Sequence, residues 1–400
     1  MKYFSAALSI FILFFLISCS PEYAEDTDVS GFSAPTDITR KMNDRVLEEL
    51  PFDSQDDFEE ARRGLIASAP HLQIKDADGV TIWDMPPFDF IEGPAPASVN
   101  PSLWRQAKLN NIHGLFEVTP GIYQLRGFDL ANMTIIEGTS GWIIVDPLTT
   151  RETAAAAMAF AGQHLKPRPV SAVFYTQSHI DHFGGVLGVI SSDEAARGTV
   201  PIIGPQGFMD EATTENVIAG IAMGRRATYQ FGNHLPPSAR AYVDSGIGKR
   251  VPLGSFGILE PNITVDQPHQ PMTIDGVRFV FQYTPESEAP AEMTFYLPDI
   301  KAFCGADVVL RNMHNLYTLR GAKVRDAPKW SRYIDDAINL FDDTEVFFAS
   351  HHWPIWGNPK IIDFLERQRD LYQYIHDQTM RMANAGYTPR EIAEQIKLPE

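Results

Sequence analysis

The feature that most constrains this chain is a polar cluster directly after an apolar run. Residues 169–176 read PVSAVFYT, and QSHIDHFGG follows at 177–185. An almost continuously apolar run of this length predicts a strand that is buried on both faces. His179, Asp181 and His182 come next, and two glycines then allow the backbone to turn tightly. The pattern therefore places three polar side chains at the end of a core strand.

These residue types suit a divalent metal site. Imidazole nitrogen and carboxylate oxygen are ligands for zinc, and a catalytic zinc site keeps one position open for water. Two such ions side by side lower the pKa of a water held between them. The competing interpretation is a helix N-terminus with a capping aspartate and two surface histidines. The strand before the cluster and the Gly-Gly pair after it favour the metal site.

The surrounding pattern predicts a mixed α/β fold with polar clusters at strand ends. Short runs rich in β-branched residues, often separated by glycine turns, predict strands at 121–127, 132–138, 141–148, 200–205, 272–284, 293–298 and 345–350. Asp275-Gly276 is a hairpin signal inside one of them. Helices are predicted at 38–50, 152–165 and 330–341. We expect functional side chains on the loops that join these elements.

The character of the chain changes at Asn358. A long amphipathic helix is predicted from there to Gly386. Thr388, with Pro389 and Glu391 behind it, has the pattern of a capping box that opens another helix. We therefore expect a helical module to begin at 358–400.

The net charge argues against one class of partner. The formal charge of the 400 residues is -18. Nucleic-acid-binding surfaces need an excess of Lys and Arg, so no nucleic-acid partner is expected. An anionic small molecule is still compatible, because a metal ion or a local arginine can dominate the field in a pocket.

The N-terminus resembles an export signal. An apolar run follows Lys2 and ends at Cys19, and a polar acidic tether comes next. The segment LISC resembles the bacterial lipobox, in which the cysteine is acylated; the alternative is an ordinary signal peptide with an incidental cysteine. We predict a lipoprotein on the periplasmic face of the membrane, and Ser20 favours the outer membrane. Cys304 then has no cysteine partner and is interpreted as a buried small hydrophobe.

TQSHIDHFGG resembles the T-H-x-H-x-D-H signature of the metallo-β-lactamase superfamily, with Gln177 at the position of the first histidine. Longer segments resemble one branch of it, the alkyl sulfatases. These segments are VNPSLWRQAKLNNIHGLFEV (99–118), GIYQLRGFDLANMTIIEG (121–138), GWIIVDPLTTRETAAAA (141–157), ENVIAGIAMGRRA (215–227), SEAPAEMTFYLP (287–298), HNLYTLRGAKVRD (314–326) and ASHHWPIWGN (349–358). The resemblance implies an αββα sandwich that binds two zinc ions per subunit.

The resemblance also implies a ligand set for each ion. The first ion would be held by His179 and Glu288, with Gln177 where a histidine belongs. A glutamine coordinates only through a neutral amide oxygen, which suits hard cations better than zinc.

The second ion would be held by Asp181, His182 and His351. His351 is preferred to His352 because it comes first after the predicted strand. Asp307 matches an acid that approaches both ions, although it is one methylene shorter than the family's glutamate.

The same resemblance assigns the substrate side. Arg320 matches the arginine that grips the sulfate, because a guanidinium fork suits anionic oxygens. His314 and Asn315 are predicted to donate a proton or to lie just outside the ligand shell. Further substrate-binding candidates are Arg225, Arg226 and Tyr229. The alternative for these residues is a structural role, for example an arginine that holds two elements together by an ion pair.

These assignments predict a domain order of signal peptide (1–18), lipidated tether (19–60), catalytic domain (61–357) and the start of a helical dimerisation region (358–400). The expected activity is metal-dependent hydrolysis of alkyl sulfate esters by a metal-bound hydroxide, with Asp181, His314 and Arg320 as catalytic residues. Gln177 and Asp307 would weaken it or alter its metal. A homodimer is expected if the helical region is complete. Two alternatives stay open: an impaired protein that binds sulfated amphiphiles, and a hydrolase of another ester class.

Overall fold

The structure, a computed structural model, describes residues 31–399, so the predicted signal peptide and Cys19 lie outside the described residues. The helices α1 to α10 span Asp37–Glu49, Asp56–Arg62, Pro101–Asn110, Arg151–His164, Ser192–Ala196, Phe208–Thr213, Gly220–Phe231, Ala327–Leu340, Asn358–Asn384 and Pro389–Gln395. The strands β1 to β16 span Leu65–Ser68, Gln73–Lys75, Thr81–Asp84, Gly114–Thr119, Ile122–Arg126, Met133–Glu137, Trp142–Val145, Val170–Phe174, Ile202–Pro205, Ile263–Val265, Gln270–Ile274, Val277–Tyr283, Met293–Leu297, Ala302–Cys304, Val346–Phe348 and Ile355–Trp356.

Two sheets form the centre of the molecule. The first has eight strands in the order β1-β4-β5-β6-β7-β8-β9-β10, and the second has six in the order β11 to β16. The first sheet is antiparallel up to β7 and parallel from β7 to β10. The second is antiparallel except for the parallel pair β14 and β15. Strands that run parallel end at the same edge, and this brings distant loops together.

Aromatic rings fill the space between the sheets. Phe174 from β8 contacts Phe279, Phe281 and Phe295 from the second sheet, with ring centroids 5.1–5.9 Å apart. These rings are fully or almost fully buried. Edge-to-face and tilted ring pairs of this kind add to the free energy gained from burial alone. This inner cluster also takes in Cys304, so that residue is a buried thiol in a hydrophobic core, as predicted.

Helices cover the outer face of each sheet. The alanines of α4 (Ala154, Ala157 and Ala161) pack on the first sheet. Residues of α8 and α9 pack on the second, where Trp330 stacks on Tyr372 with centroids 4.3 Å apart. The layer order is therefore helix, sheet, sheet, helix, and the predicted αββα sandwich is confirmed. The N-terminal half of α9 is part of the outer layer, because Ile361 and Leu365 belong to the same core cluster.

The predicted elements agree closely with the observed ones. The helix predicted at 152–165 is α4, and the helix predicted to start at Asn358 is α9. The capping box of α10 forms as expected, with Thr388 accepting from the backbone N–H of Glu391. Short strands at the sheet edges, such as β1 and β16, had no clear signal in the sequence. Within residues 31–399, no helix is long and apolar enough to cross a bilayer.

Candidate metal centre

The polar cluster lies where β8 meets the second sheet. After β8 the chain bridges to Glu292 through Gln177, and residues Ile180–His182 form a single 3-10 turn. A Cβ on Gly184 would lie 2.2 Å from the carbonyl oxygen of Thr149, and one on Gly185 would lie 2.2 Å from that of Pro147. The two glycines therefore let the turn pack directly on the loop that follows β7. This fixes the direction of the histidines.

Four predicted ligands converge at this point. The Nε2 atom of His182 lies 3.4 Å from Asp181 Oδ2 and 3.3 Å from Asp307 Oδ2. The Nε2 atom of His351 lies 3.4 Å and 3.5 Å from the same two oxygens. All four side chains are buried or nearly so. Two imidazoles and two carboxylates thus face one another at the distances of a shared small cation.

Hydrogen bonds on the far side of each imidazole hold it in place. His182 Nδ1 lies 2.9 Å from Asp146 Oδ2, and His351 Nδ1 donates to the carbonyls of Leu130 and Ile247 at 3.1 Å and 3.0 Å. Both Nε2 atoms are thereby directed at the carboxylates. A partner of this kind on the second nitrogen is characteristic of metal-ligating histidines.

The electrostatics of the cluster favour a cation. Burial alone would lower the pKa of His351, but Asp307 and Asp181 outweigh burial and raise it to about 10. Burial likewise opposes charge on His182, but Asp181, Asp307 and Asp146 raise its pKa well above the ordinary value. The carboxylates therefore stabilise positive charge at this point, which a divalent ion supplies.

Buried polar atoms without hydrogen-bond partners also indicate a cation at this point. Among the described residues, Asp307 Oδ1 and His351 Nε2 are buried and have no hydrogen-bond partner. Buried polar atoms without partners are rare and costly unless an ion or water completes them. The set Asp181, His182 and His351 offers ligand atoms close enough to hold one metal ion. These residues therefore fit a divalent metal.

Gln177 faces the same cluster with its amide nitrogen. This atom donates to Asp307 Oδ2 at 2.7 Å and lies 3.0 Å from His182 Nε2. The amide oxygen points away and accepts from the backbone N–H of His179 at 3.4 Å. The structure thus places a hydrogen-bond donor, and not an oxygen ligand, between the two residues.

The other predicted ligands form a second group beside the first. His179 Nδ1 lies 2.8 Å from Glu288 Oε2, and His314 Nε2 lies 3.3 Å from Glu288 Oε1. Arg325 closes this group, since Nη2 pairs with Glu288 Oε1 and Nε donates to the Glu288 carbonyl at 2.6 Å. Burial opposes ionisation of Glu288, but Arg325, His179 and His314 hold its pKa well below the usual value. Glu288, Asp307 and His314 also meet the distance requirement for a metal.

Glu292 holds the backbone of both groups in place through hydrogen bonds to its carboxyl oxygens. One carboxyl oxygen accepts from Ser287 Oγ and from the backbone N–H groups of Glu288 and Ala289, at 2.8–2.9 Å. The other accepts from the backbone N–H of Asp307 at 3.2 Å. Burial, together with the nearby carboxylates, raises the pKa of Glu292 well above its ordinary value. These hydrogen bonds fix the backbone of the two loops that carry Glu288 and Asp307.

A cleft of about 700 Å³ opens above the two groups. Arg320 lines it and donates to Glu215 Oε2 at 3.2 Å, while its backbone N–H donates to Gln230 Oε1 at 2.6 Å. Asn315 and His314 also line the cleft. Apolar side chains form much of the remaining wall, among them Leu103, Met223, Phe231, Val251, Phe256 and Met313.

Three predicted substrate-binding residues lie outside the wall of this cleft. Arg225 and Arg226 are exposed, and Arg226 Nε donates to the Leu319 carbonyl at 2.9 Å. The Tyr229 side chain is 91% exposed. This hydrogen bond ties α7 to the loop that carries Arg320.

Two residues that position the site are not among those predicted from the sequence. Asp146 follows β7 directly and orients His182, and an aspartate after the apolar run WIIV is a signal that could have drawn attention to it. Arg325 is the partner of Glu288, and only its place beside the Arg320 segment pointed to it. Neither contact follows from spacing along the chain.

Comparison with known proteins agrees with this fold and site. The family model of the metallo-β-lactamase superfamily matches residues 126–351, which include every predicted metal ligand. The chain therefore belongs to the metallo-β-lactamase superfamily.

More specific similarity is to the alkylsulfatases. The chain is 48% identical over 368 residues to a linear primary-alkylsulfatase of Pseudomonas sp., covering 91% of this chain and 55% of the relative. It is 48% identical to the alkyl/aryl-sulfatase BDS1 of Saccharomyces cerevisiae, covering 90% and 56%. The solved structure of the stereoselective inverting sec-alkylsulfatase Pisa1 from Pseudomonas sp. matches with a TM-score of 0.89 and 46% identity, covering 91% and 58%. The chain thus spans little more than half the length of these relatives.

Proposed function

We propose that this protein hydrolyses alkyl sulfate esters to an alcohol and inorganic sulfate in a metal-dependent reaction. The observation that carries the proposal is the convergence of Asp181, His182, Asp307 and His351 at the base of a cleft that also contains Arg320. The names of the similar proteins support the substrate class. In the balanced reaction, water and the ester give the alcohol, sulfate and one proton.

Zinc is the ion we propose for the site. Two imidazoles and two carboxylates are a ligand set that zinc accepts, with room for a water molecule. Such an ion, when bound, acts as a Lewis acid and makes a water molecule more acidic. Asp146 and the carbonyls of Leu130 and Ile247 keep the two imidazoles in position for it.

The cleft accommodates both ends of such a substrate. The Arg320 guanidinium is partly buried and supplies paired N–H donors for sulfate oxygens. Glu215, its partner, keeps the guanidinium oriented before substrate arrives. The apolar wall from Met223, Phe231 and Phe256 offers a surface for an alkyl chain.

His314 is placed to hold a proton near the reacting ester. Arg325 Nη1 donates to His314 Nδ1 at 3.0 Å, so the proton of the neutral imidazole lies on Nε2, which faces Glu288. Burial is the main reason that the pKa of His314 is lowered, which keeps the ring neutral at pH 7. We propose that Nε2–H donates a hydrogen bond to the departing alcohol oxygen, while the proton that the alcohol gains comes from the attacking water.

The proposal is tested by an assay of sulfate release combined with a measurement of bound zinc. Purified protein, loaded with Zn²⁺, is expected to release sulfate from sodium dodecyl sulfate, and His351→Ala is expected to lose both metal and turnover. Lys360→Ala, on the surface of α9, serves as the matched control. A zinc-loaded wild-type protein that releases no sulfate would contradict the proposal.

One observation favours the impaired-enzyme alternative. The Gln177 amide donates to Asp307 at 2.7 Å, and this hydrogen bond occupies an oxygen that a metal ion would need. We propose that turnover is weakened for this reason. Gln177→His is expected to raise the zinc content per chain and the rate with dodecyl sulfate. Two equivalents of zinc and rapid hydrolysis in the wild type would argue against weakening.

We also propose that the chain is anchored by a lipid on Cys19. The apolar run that ends in LISC supports this, followed by a polar tether. The protein is expected in the membrane fraction of a bacterial host, and Cys19→Ala is expected to move it to the soluble fraction. Retention of the variant in the membrane would contradict a lipid anchor at this residue.

A further inference from the structure

A small cavity lies close to the metal centre and shares two lining residues, Leu130 and Ile247, with the cleft. Its volume is about 30 Å³, which is room for one or two water molecules or an ion of that size. It is bounded by the end of β5, by α2 and α3, and by the loops at 247–249 and 352–353. Most of its walls are buried. The residues used below are Arg126, Asp129, Leu130, Ile247, Lys249, His352 and Trp353.

Arg126 is the unusual member of this wall. Its side chain lies over the Phe116 ring, with Cζ 3.3 Å from the ring centroid, and the residue is 5% exposed. Among residues 31–399, its Nε and Nη2 atoms are buried without a hydrogen-bond partner, and no carboxylate forms an ion pair with it. Burial lowers the pKa of Arg126 to about 9, so the guanidinium still carries its charge at pH 7.

A buried charge of this kind needs a counter-charge. Polar groups are buried at low cost only when hydrogen-bonded, and charges only when they are also paired. Water would satisfy the two N–H donors of Arg126 but would leave the charge uncompensated. An anion satisfies both requirements.

The protein's own charged groups at the cavity are already engaged. Asp129 accepts hydrogen bonds from Thr149 Oγ1 and Thr153 Oγ1 at 2.5 Å, and from the backbone N–H of Leu130 at 2.6 Å. Lys249 pairs with Asp244 at 3.0 Å.

Trp353, in contrast, adds a donor. Its indole Nε1 is buried and has no partner among the described residues. The unpaired atoms on this wall are the N–H donors of Arg126 and Trp353, which an anion would contact, and Nδ1 of His352, whose ring donates through Nε2 to the Gly246 carbonyl at 2.9 Å.

We propose that this cavity is a binding site for a monatomic anion of the chloride class, held by Arg126 and Trp353. Two residues connect it with the metal centre: Leu130 and Ile247 line the cavity, and their carbonyls accept from His351 Nδ1. A bound anion would therefore stabilise the two backbone carbonyls that position the metal ligand His351. This inference stands independently of the proposed activity.

Bromide is the direct probe. Crystals of the wild-type protein in sodium bromide are expected to give an anomalous difference peak between Arg126 and Trp353. Density without an anomalous peak would identify water as the occupant and overturn the proposal.

Thermal unfolding in solution provides a second test. Replacing sodium gluconate by sodium chloride at equal ionic strength is expected to raise Tm by about 2 °C or more, because chloride binds only the folded state. Arg126→Met is expected to abolish this difference.

Arg311→Met is the matched control, because Arg311 is also buried near Trp353 but has Asp57 and Glu60 as partners. It is expected to lower Tm and to keep the chloride effect. An equal chloride effect in the wild type and in Arg126→Met would overturn the proposal. If Arg126→Met does not fold, the bromide experiment on the wild type still decides.

Discussion

Asp146 contacts the centre through His182, although it is not itself a proposed ligand. It adopts a left-handed backbone conformation with φ of 55°, which is uncommon for a non-glycine residue. Its carboxylate accepts from Thr176 N and Oγ1 and from Ser350 Oγ at 2.7–2.8 Å. Four contacts, including that with His182, thus tie the ends of β7, β8 and β15 to one carboxylate.

Asp146→Asn is expected to weaken zinc affinity by about 10–100-fold, because the partner of His182 Nδ1 loses its charge. Competition with a chromogenic chelator measures this directly. Asp363→Asn, whose carboxylate is exposed on α9, is the control. Equal affinity in Asp146→Asn and wild type would show that the contact does not tune the imidazole.

Arg320 is predicted to act through its shape as well as its charge. Lysine at this position keeps the charge but cannot present two parallel N–H donors to sulfate oxygens. Arg320→Lys is therefore expected to raise KM for dodecyl sulfate by about tenfold, with a smaller effect on kcat. Steady-state kinetics distinguish the two parameters, and Arg367→Lys on the surface of α9 is the control. An unchanged KM would remove Arg320 from the sulfate site.

At the scale of elements, the turn after β8 depends on Gly185. A Cβ there would meet the Pro147 and Thr150 carbonyls at 2.2 Å and 2.6 Å and Ala154 Cβ at 2.8 Å. Gly185→Ala is expected to lower the free energy of unfolding by about 1–3 kcal/mol through overpacking. Urea unfolding provides the measurement.

Gly162 in α4 is the matched comparison for this substitution. A Cβ at that position would meet no atom within 4 Å. Gly162→Ala is expected to raise the free energy of unfolding by roughly 0.5–1 kcal/mol, since glycine is a poor residue inside a helix. A loss of similar size in both variants would show that crowding at Gly185 is not the cause.

The elements that could be predicted from the sequence are those with a strong local pattern. The β8 run, the alanines of α4 and the amphipathic α9 were all recognisable, because burial and period depend on neighbouring residues. Strands β14 and β16 have three and two residues, which is too short for a period to appear. Their existence depends on pairing with β15, which the sequence does not encode locally.

The site was predictable only as far as family resemblance and strand ends allowed. His179, Asp181 and His182 follow one strand, and His351 follows another, so their convergence was expected. The orientation of the Gln177 amide was not predictable, because it depends on Asp307, 130 residues away. The pairing of Arg325 with Glu288 is a tertiary contact of the same kind.

For the whole molecule, metal binding and pH are linked. His351 has its pKa raised from 6.5 to about 10 in the metal-free protein, so this group stabilises the fold below pH 6.5 and loses that contribution as pH rises through 10. A metal ion must displace the same proton. Zinc affinity is therefore expected to increase from pH 6.5 to pH 10.

Chelator-treated protein is expected to show the opposite trend in stability. Its free energy of unfolding should fall over the same pH interval, while that of the zinc-loaded protein should fall less. Thermal unfolding of both forms in a pH series measures the difference. Parallel curves would show that protonation of His351 is not coupled to folding.

The metal centre can form only after the two sheets have packed against each other. Its parts come from the ends of β7, β8, β14 and β15, and the hydrogen bond between Asp146 and Ser350 joins residues 204 positions apart. No fragment that contains one sheet alone holds the full ligand set. Closing such long loops is slow because it costs chain entropy, and this cost is offset only when both sheets have packed. Metal capture should therefore be among the last events of refolding, and its rate should report completion of the native sandwich.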